Sequence, residues 1–124
     1  MLKRIYHNYK YLKKLNRHCS TVPADKLSKH DRYVEELCDK IKGQYDSVSK
    51  HVTLRAKKRM LAEVDVLAKR GDMVDLYEVK CSPRIAKARR QLKKLTRYLG
   101  RGMNISNCYF YCGSSHSVMT ILFE

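Results

Sequence analysis

The stretch from Met60 to Lys80 constrains the fold of this chain more than any other. Its two halves, Met60–Lys69 and Met73–Lys80, are rich in Val, Leu and Tyr, which is typical of β-strands. The residues between them, Arg70-Gly71-Asp72, suit a tight hairpin, because Gly followed by Asp fits a two-residue type II′ turn. The sequence therefore predicts an antiparallel hairpin with its turn at Gly71 and Asp72.

This hairpin has apolar residues on both of its faces. Strict alternation along the strands assigns two sets, with Leu67, Val74 and Leu76 on one face and Val64, Val66, Tyr77 and Val79 on the other. A strand that is apolar on both faces is covered on both sides. We therefore expect an α/β domain in which a mixed central sheet lies between helices.

Helical periodicity and chain-breaking residues place the other elements. They are a helix from about Asp25 or Ser28 to Lys42, a short strand at His51–Leu54, a helix opened by Ser82 or Pro83 and stopped by Gly100, and strands at Asn107–Cys112 and Ser117–Phe123. Residues 2–17 predict a separate basic amphipathic helix, for which a mitochondrial-type targeting peptide is the alternative. The chain thus divides into an N-terminal basic helical extension at 1–24 and a domain at 25–124.

The charge of the chain is strongly positive and unevenly placed. Among 124 residues, 27 Lys and Arg stand against 12 Asp and Glu, which gives a formal net charge of +15. Residues 1–24 and 79–123 contain no acid at all. Such a chain attracts polyanions, and nucleic acid is the expected partner because neutralising its phosphates releases condensed counterions.

The sequence also bears on the cellular compartment. No apolar stretch approaches the roughly 18 residues that a membrane-spanning helix needs, so no membrane contact is expected. The five cysteines form no recognisable disulfide framework, which favours a reduced, intracellular setting. Cys108 and Cys112 would lie roughly 13 Å apart along one strand, too far for a shared zinc with His116, and are interpreted as buried small apolar residues.

The hairpin register brings acidic residues together. With the turn placed as above, Asp65 falls opposite Glu78 and Glu63 opposite Lys80, and all four share one face. Two carboxylates about 5 Å apart repel each other unless a cation bridges them or one is protonated. A hard divalent ion such as Mg²⁺ or Mn²⁺ is the natural bridge, and a basic chain around it suggests phosphodiester cleavage. The alternative is a surface ladder in which Glu63 pairs with Lys80 and the other two acids face water.

The motif in these two strands resembles a known nuclease signature. The runs Ala62–Leu67 and Asp75–Lys80 resemble the PD-(D/E)xK nuclease superfamily, with an Asp on one strand and Glu-x-Lys on the next. The order of the expected elements is similar to the αβββαβ core of that superfamily. In size and basicity the chain looks closest to small archaeal-type or virus-encoded Holliday-junction-resolvase-like nucleases. The resemblance implies a restriction-endonuclease-like fold for the domain.

The resemblance also implies roles for particular residues. Asp65, Glu78 and the backbone carbonyl of Val79 would bind Mg²⁺, for which Mn²⁺ can substitute, and Lys80 would serve the attacking water. The first core helix would add a carboxylate, for which Glu35 is preferred over Asp31. Gln91 would lie near the metal-bound phosphate or water, although an ordinary solvated Gln fits the position equally well. His30 is interpreted as a core or helix-start histidine.

Basic residues mark the expected DNA-binding surface. Arg90, Lys94, Arg97 and Arg101 recur at helical spacing opposite a leucine stripe, where they can contact phosphates. Lys57, Lys58 and Arg59 form a second basic cluster, also assigned to DNA binding. A solvated helix face and a protein–protein surface are the alternatives for the helix.

These observations predict a metal-dependent DNA endonuclease that cuts branched or duplex DNA in recombination, repair or replication. The alternative is a non-catalytic, basic nucleic-acid-binding protein on a nuclease-like scaffold. A homodimer is a further expectation that comes from the resemblance, because relatives that cut two strands are often dimers.

Overall fold

The computed structural model describes residues 26–123, so the helix expected at residues 2–17 lies outside the described residues. Seven regular elements and one short 3₁₀ helix (Lys42–Gln44) make up the described chain. In order they are α1 (Lys29–Ile41), β1 (Ser47–Ala56), β2 (Arg59–Arg70), β3 (Met73–Lys80), α2 (Ile85–Leu99), β4 (Asn104–Cys112) and β5 (Ser117–Ile121). Neither helix is long and apolar enough to cross a membrane.

The five strands form one sheet in the order β1-β2-β3-β4-β5. Only β3 and β4 run parallel, since α2 connects them as a crossover, and the other neighbours are antiparallel. The helices cover opposite faces of the sheet, and each closes a separate apolar cluster. The expected α/β class with a mixed sheet between helices is therefore confirmed.

Turn chemistry sets the register of the central hairpin. The pairs run from Val66 opposite Tyr77 to Arg70 opposite Met73, as the sequence predicts. Gly71 has a φ of +61°, whereas Asp72 is not among the residues with positive φ, which is the pattern of a type II′ turn. The predicted turn type and the register of the five pairs next to the turn are confirmed, but the predicted pairs of Asp65 with Glu78 and of Glu63 with Lys80 are not formed.

Helix α1 begins and ends where its sequence signals predict. Ser28 caps it, because its side-chain oxygen accepts a hydrogen bond from the Asp31 backbone N–H at 3.1 Å. Periodicity predicts an apolar stripe that runs from Leu27 to Tyr45, and its four central residues are buried against the sheet, namely Val34, Leu37, Cys38 and Ile41. The start of this helix is thereby fixed over the end of the central hairpin.

The prediction that side chains alternate strictly between the two faces of the sheet fails at one position of β1 and β2. Val64 packs in the α2 cluster with Leu67, not beside Val66, which packs against α1. The β1–β2 ladder pairs Lys50 with Val66 and Val52 with Val64, but the intervening residues are not paired. Both strands therefore reverse their side-chain direction between those pairs, and the predicted face of Val64 is wrong for this reason.

The reversal occurs at His51 of β1 and Asp65 of β2. His51 has a φ of +51°, in the left-handed region that non-glycine residues seldom adopt. One residue in that conformation rotates the strand, so its successors face the opposite side of the sheet. β1 also extends over ten residues, well beyond the predicted His51–Leu54.

Candidate metal centre

The candidate site lies where β2 and β3 cease to pair. The ladder between the two strands ends at Val66 and Tyr77, and the next residue of β2, Asp65, takes a different role. Its Oδ2 accepts a hydrogen bond from the Val79 backbone N–H at 2.8 Å. The carboxylate therefore occupies the gap between the strands, where it is 6 % exposed.

Glu78 shares this gap with Asp65. Glu78 is 3 % exposed, and its carboxyl group interacts directly with that of Asp65. Burial and the negative charge of Asp65 raise the pKa of Glu78 to about 8. Burial also acts to raise the pKa of Asp65, but hydrogen bonds from His30 and the Val79 N–H lower it overall. At neutral pH the pair therefore holds one proton, with Asp65 as the ionised member.

One oxygen of the pair has no partner. Glu78 Oε2 is buried and accepts no hydrogen bond from the described residues. The other oxygen, Oε1, lies 3.5 Å from Lys80 Nζ, and the Lys80 side chain is 15 % exposed. When Glu78 is ionised, this oxygen is a buried acceptor without a donor, which is unfavourable, and a cation bound there would satisfy it.

Lys80 does not lie opposite Glu63 as the sequence predicts. The pairing between β2 and β3 ends at Val66 and Tyr77, and among the described residues Glu63 pairs only with Thr53 of β1. The alternative of a surface ladder is excluded because Glu63 and Lys80 are not paired and because Asp65 and Glu78 are buried. The ammonium group of Lys80 instead faces the carboxyl pair.

His30 contacts two of the groups that the sequence analysis assigns to a metal. Its Nε2 lies 3.0 Å from the Val79 carbonyl oxygen and 3.4 Å from Asp65 Oδ2, while Nδ1 lies 3.1 Å from Asp31 Oδ1. The hydrogen bond with Asp65 is the largest cause that raises the pKa of His30 to about 9. The ring is therefore an imidazolium at neutral pH and places its charge on two of the groups assigned to the metal.

His51 adds a second imidazole to the site. Its Nδ1 lies 3.6 Å from Glu63 Oε1, and its Nε2 lies 3.7 Å from Asp31 Oδ1. His51, Glu63 and Asp65 offer ligand atoms that all lie within 4.8 Å of one another. Imidazole and carboxylate oxygens together suit borderline ions such as Mn²⁺ as well as hard ones.

Sequence reasoning missed both histidines for physical reasons. His51 is recruited by the side-chain reversal, which no composition or periodicity signal announces. His30 has a weak signal, since it precedes an acid in the first turn of α1 and lies on the sheet-facing side. Its contact with Val79 is separated by 49 positions in the chain, which a single sequence does not reveal.

The preferred helix carboxylate is not at the site. Glu35 Oε1 lies 2.5 Å from Lys50 Nζ, on the part of β1 that precedes the reversal. Asp31, the alternative, contacts both His30 and His51 and therefore lies beside the carboxyl pair. The correction follows from the position of α1, whose first turn, not its second, covers the gap between the strands.

Gln91 lies on the inner side of α2. It is partly buried, and its side-chain oxygen is buried without a hydrogen-bond partner among the described residues. This placement excludes the solvated interpretation of Gln91. The unsatisfied oxygen is a second polar atom, after Glu78 Oε2, that a ligand or water would satisfy.

The predicted basic residues lie at the surface. Arg90, Lys94, Arg97 and Arg101 are exposed, as are Lys57, Lys58 and Arg59 at the turn between β1 and β2. The opposite side of α2 is buried and consists of Ala88, Leu92, Leu95 and Leu99. The helix therefore separates an apolar face from a basic one, as predicted.

The donor set fits a divalent cation. Asp65, Glu78 and the Val79 carbonyl supply oxygen atoms, and one of those oxygens is buried without a donor. The search with protein-family models found no match to the chain, and no curated protein matches it either. The case for a function rests on the geometry of the site.

Proposed function

We propose that this protein is a metal-dependent DNA endonuclease of the PD-(D/E)xK type, with its active site at Asp65, Glu78 and Lys80. The observation that carries the proposal is the buried carboxyl pair at the end of the central hairpin, with one oxygen unsatisfied and a lysine beside it. Structural carboxyl groups are normally satisfied when buried, so this pair is better explained by a ligand that the site receives.

The residues of the site have distinct tasks in this proposal. Asp65 and Glu78, with the Val79 carbonyl, would hold the cation, which would supply polarisation of the phosphate and a lowered pKa of a bound water. Glu78 must give up its proton for this, because the raised pKa keeps it neutral in the metal-free protein. Lys80 orients the attacking water or offsets negative charge in the transition state.

His30 stabilises the carboxylate of the site in the metal-free protein. Its imidazolium bridges Asp65 and the Val79 carbonyl and so neutralises the carboxylate while no metal is bound. With a cation held by the same oxygens, the His30 ring would have to leave this position or lose its proton. His30 and Asp31 therefore act as positioning residues that keep the ligand oxygens in place.

The basic surface supplies the affinity for DNA. The net charge of +15 favours any nucleic acid, and the exposed row on α2 can follow a phosphate backbone without reading base edges. Binding of this kind depends on backbone shape more than on sequence. We therefore propose branched or duplex DNA as the substrate class, as in recombination, repair or replication.

One observation favours a second candidate, a DNA-binding protein without catalytic activity. The imidazolium of His30 already provides a positive charge to the carboxyl pair, so the site is partly neutralised without any metal. In that case the carboxyl pair is a structural remnant of the nuclease scaffold. Metal dependence separates the two candidates.

The decisive experiment is cleavage of supercoiled plasmid with Mg²⁺ or with a chelator. We expect the wild-type protein to nick DNA only with the metal, and Asp65→Asn to lower the rate at least about 100-fold while it retains DNA binding. Glu35→Gln is the matched control, because this acid pairs with Lys50 away from the site and should keep the wild-type rate. Retardation of DNA without cleavage by the wild-type protein would establish the non-catalytic candidate.

A panel of DNA structures then defines the substrate. Four-way junction, flap, duplex and single-stranded DNA of the same sequence should be cleaved at different rates if backbone shape determines binding. Equal rates on all four would contradict a structure-specific enzyme but leave the metal-dependent chemistry intact.

A further inference from the structure

Strand β5 is an outer edge of the sheet that the described residues leave uncovered. It pairs only with β4, and four of its five residues are exposed. Val118 and Met119 point to opposite faces and are 48 % and 50 % exposed, and Leu122, just beyond the strand, is 76 % exposed. An exposed apolar edge of this kind can pair with a further strand.

The two edges of the sheet differ in how they are protected. The β1 edge carries Lys50 and Arg55, has a register shift between Leu54 and Arg55, and contains the left-handed His51. Charges and bulges of this kind prevent edge-to-edge pairing. The described ladder of β5 has no register shift, and the strand has no charged residue.

Charge distinguishes this edge from the rest of the molecule. Residues 102–123 contain no Asp, Glu, Lys or Arg, although the whole chain carries +15. Two copies repel each other when basic surfaces meet, but this repulsion is smallest where both contribute an uncharged strand. An acidic partner would gain nothing here and would bind the basic surfaces instead.

We propose that β5 is the dimerisation surface, on which a second copy of this chain pairs antiparallel with its own β5. A two-fold axis at Met119 would place Val118 opposite Thr120 and Ser117 opposite Ile121, so the same contacts are made twice. The two sheets would then join into one of ten strands. This proposal does not depend on nuclease activity.

The geometry of this pairing determines where the helices lie. Antiparallel pairing of identical edge strands in one sheet requires the axis to be perpendicular to that sheet. Both copies of α2 therefore lie on the same face of the joined sheet, with their exposed basic rows directed to the same side. The interface is small, because each copy contributes five strand residues, so we expect dissociation in the micromolar range.

Sedimentation velocity of the full chain, over a range of micromolar concentrations, tests the proposal. The wild-type protein should shift from one chain mass towards two, and Met119→Lys should remain at one because it places like charges face to face. Met60→Lys is the matched control, since Met60 is 55 % exposed on β2 and lies outside β5. The control should dimerise like the wild-type protein.

Salt provides a second, independent readout. Added NaCl screens the repulsion between the two basic chains, so the dimer should become tighter, whereas an association held by ion pairs would become weaker. If Met119→Lys does not fold by circular dichroism, Thr120→Lys places the charge on the other face of β5.

Three results would overturn the proposal. One is a wild-type chain that stays monomeric at every concentration, as expected if another segment of the chain or a different protein covers β5. The second is equal loss of the dimer in Met60→Lys and Met119→Lys. The third is a dimer that added salt weakens.

Discussion

Strand β3 carries two buried acids, Asp75 and Glu78, whose surroundings differ sharply. They are 4 % and 3 % exposed, so burial does not distinguish them. Asp75 accepts hydrogen bonds from the Tyr45 hydroxyl at 2.5 Å and from the backbone N–H of Asn107 at 3.0 Å. Glu78 has an unpartnered oxygen and faces a second carboxyl group.

The comparison teaches that equal burial can go with very different hydrogen bonding, because neutral donors satisfy Asp75 and no such donor satisfies Glu78 Oε2 among the described residues. The side-chain amide of Asn107 completes the set around Asp75 at 3.3 Å, and burial with the hydrogen bond to Asp75 raises the pKa of Tyr45, which keeps it a donor. At Glu78 the neighbours are instead two ionisable groups, Asp65 and Lys80. The same strand therefore holds a closed site at one end and an open one at the other.

The largest expected effect is on stability, and it should occur only at the closed end. Asp75→Ala removes the acceptor of three hydrogen bonds and leaves the backbone N–H of Asn107 without its partner, so it should lower the free energy of unfolding by about 3 kcal/mol. Glu78→Gln replaces a neutral acid by a neutral amide, so it should change the free energy of unfolding by less than about 1 kcal/mol. Urea unfolding at pH 6.5 measures both; equal losses would remove the distinction between the two ends.

The second effect is on chemistry, and it should occur only at the open end. Lys80→Ala should reduce metal-dependent cleavage about 100-fold, because electrostatic assistance next to the carboxyl pair is lost. Lys69→Ala is the control, since Lys69 pairs with Val74 at the closed end of the same hairpin. Calorimetry should show unchanged Mn²⁺ binding in Lys80→Ala. If binding is lost and saturating metal restores the rate, Lys80 serves the metal and not the reaction.

The third effect is a pH dependence that belongs to the open end. Glu78 and His30 both have raised pKa values, about 8 and about 9, so the folded protein holds their protons more tightly than the unfolded chain. Their contributions to the free energy of unfolding are complete below the pKa values of the unfolded chain, 4.5 for Glu78 and 6.5 for His30. These contributions are lost as the pH rises through the pKa values of the folded protein, about 8 and about 9. The metal-free protein should therefore melt at a lower temperature at pH 9 than at pH 6, by roughly 5 °C or more.

Two variants test whether Glu78 and His30 cause this pH dependence of the melting temperature. Glu78→Gln and His30→Gln should each flatten the melting temperature between pH 6 and pH 9, whereas Asp75→Asn should leave its slope unchanged. A wild-type melting temperature that rises from pH 6 to pH 9 would contradict the raised pKa values at the site.

The smallest effect concerns the basic helix, which should influence neither end of β3. Arg97→Gln removes one exposed charge of α2 and should flatten the slope of log K against log salt for duplex DNA by roughly 0.9. Unfolding free energy should hardly change. An unaltered slope would mean that DNA does not run along α2.

The sequence correctly predicts those features that residues close together in the chain determine. Gly71 and Asp72 set the turn and therefore the register, and Ser28 sets the start of α1. The two apolar stripes predict both helices and the faces that they cover. These signals lie within a few residues of the structure that they specify.

The rest of the site depends on residues that are distant in the chain. The approach of His30 to Val79 and the choice of Asp31 over Glu35 follow from how α1 packs on the sheet. The reversal at His51 depends on its partner strand as much as on its own residue. A prediction that assumes strict alternation of side chains along each strand includes neither the packing of α1 on the sheet nor the reversal at His51.

The interrupted ladder between β1 and β2 has a consequence for the dynamics of this hairpin. Pairing on the two sides of His51 and Asp65 forms two separate segments, Ser47–Lys50 with Val66–Lys69 and Val52–Ala56 with Arg59–Val64. We expect each segment to open without the other, so amide hydrogen exchange should divide the hairpin into two blocks with different protection. A cation held by Asp65 would connect the two segments. On cation binding, the backbone amides of both segments should then exchange slowly and at similar rates.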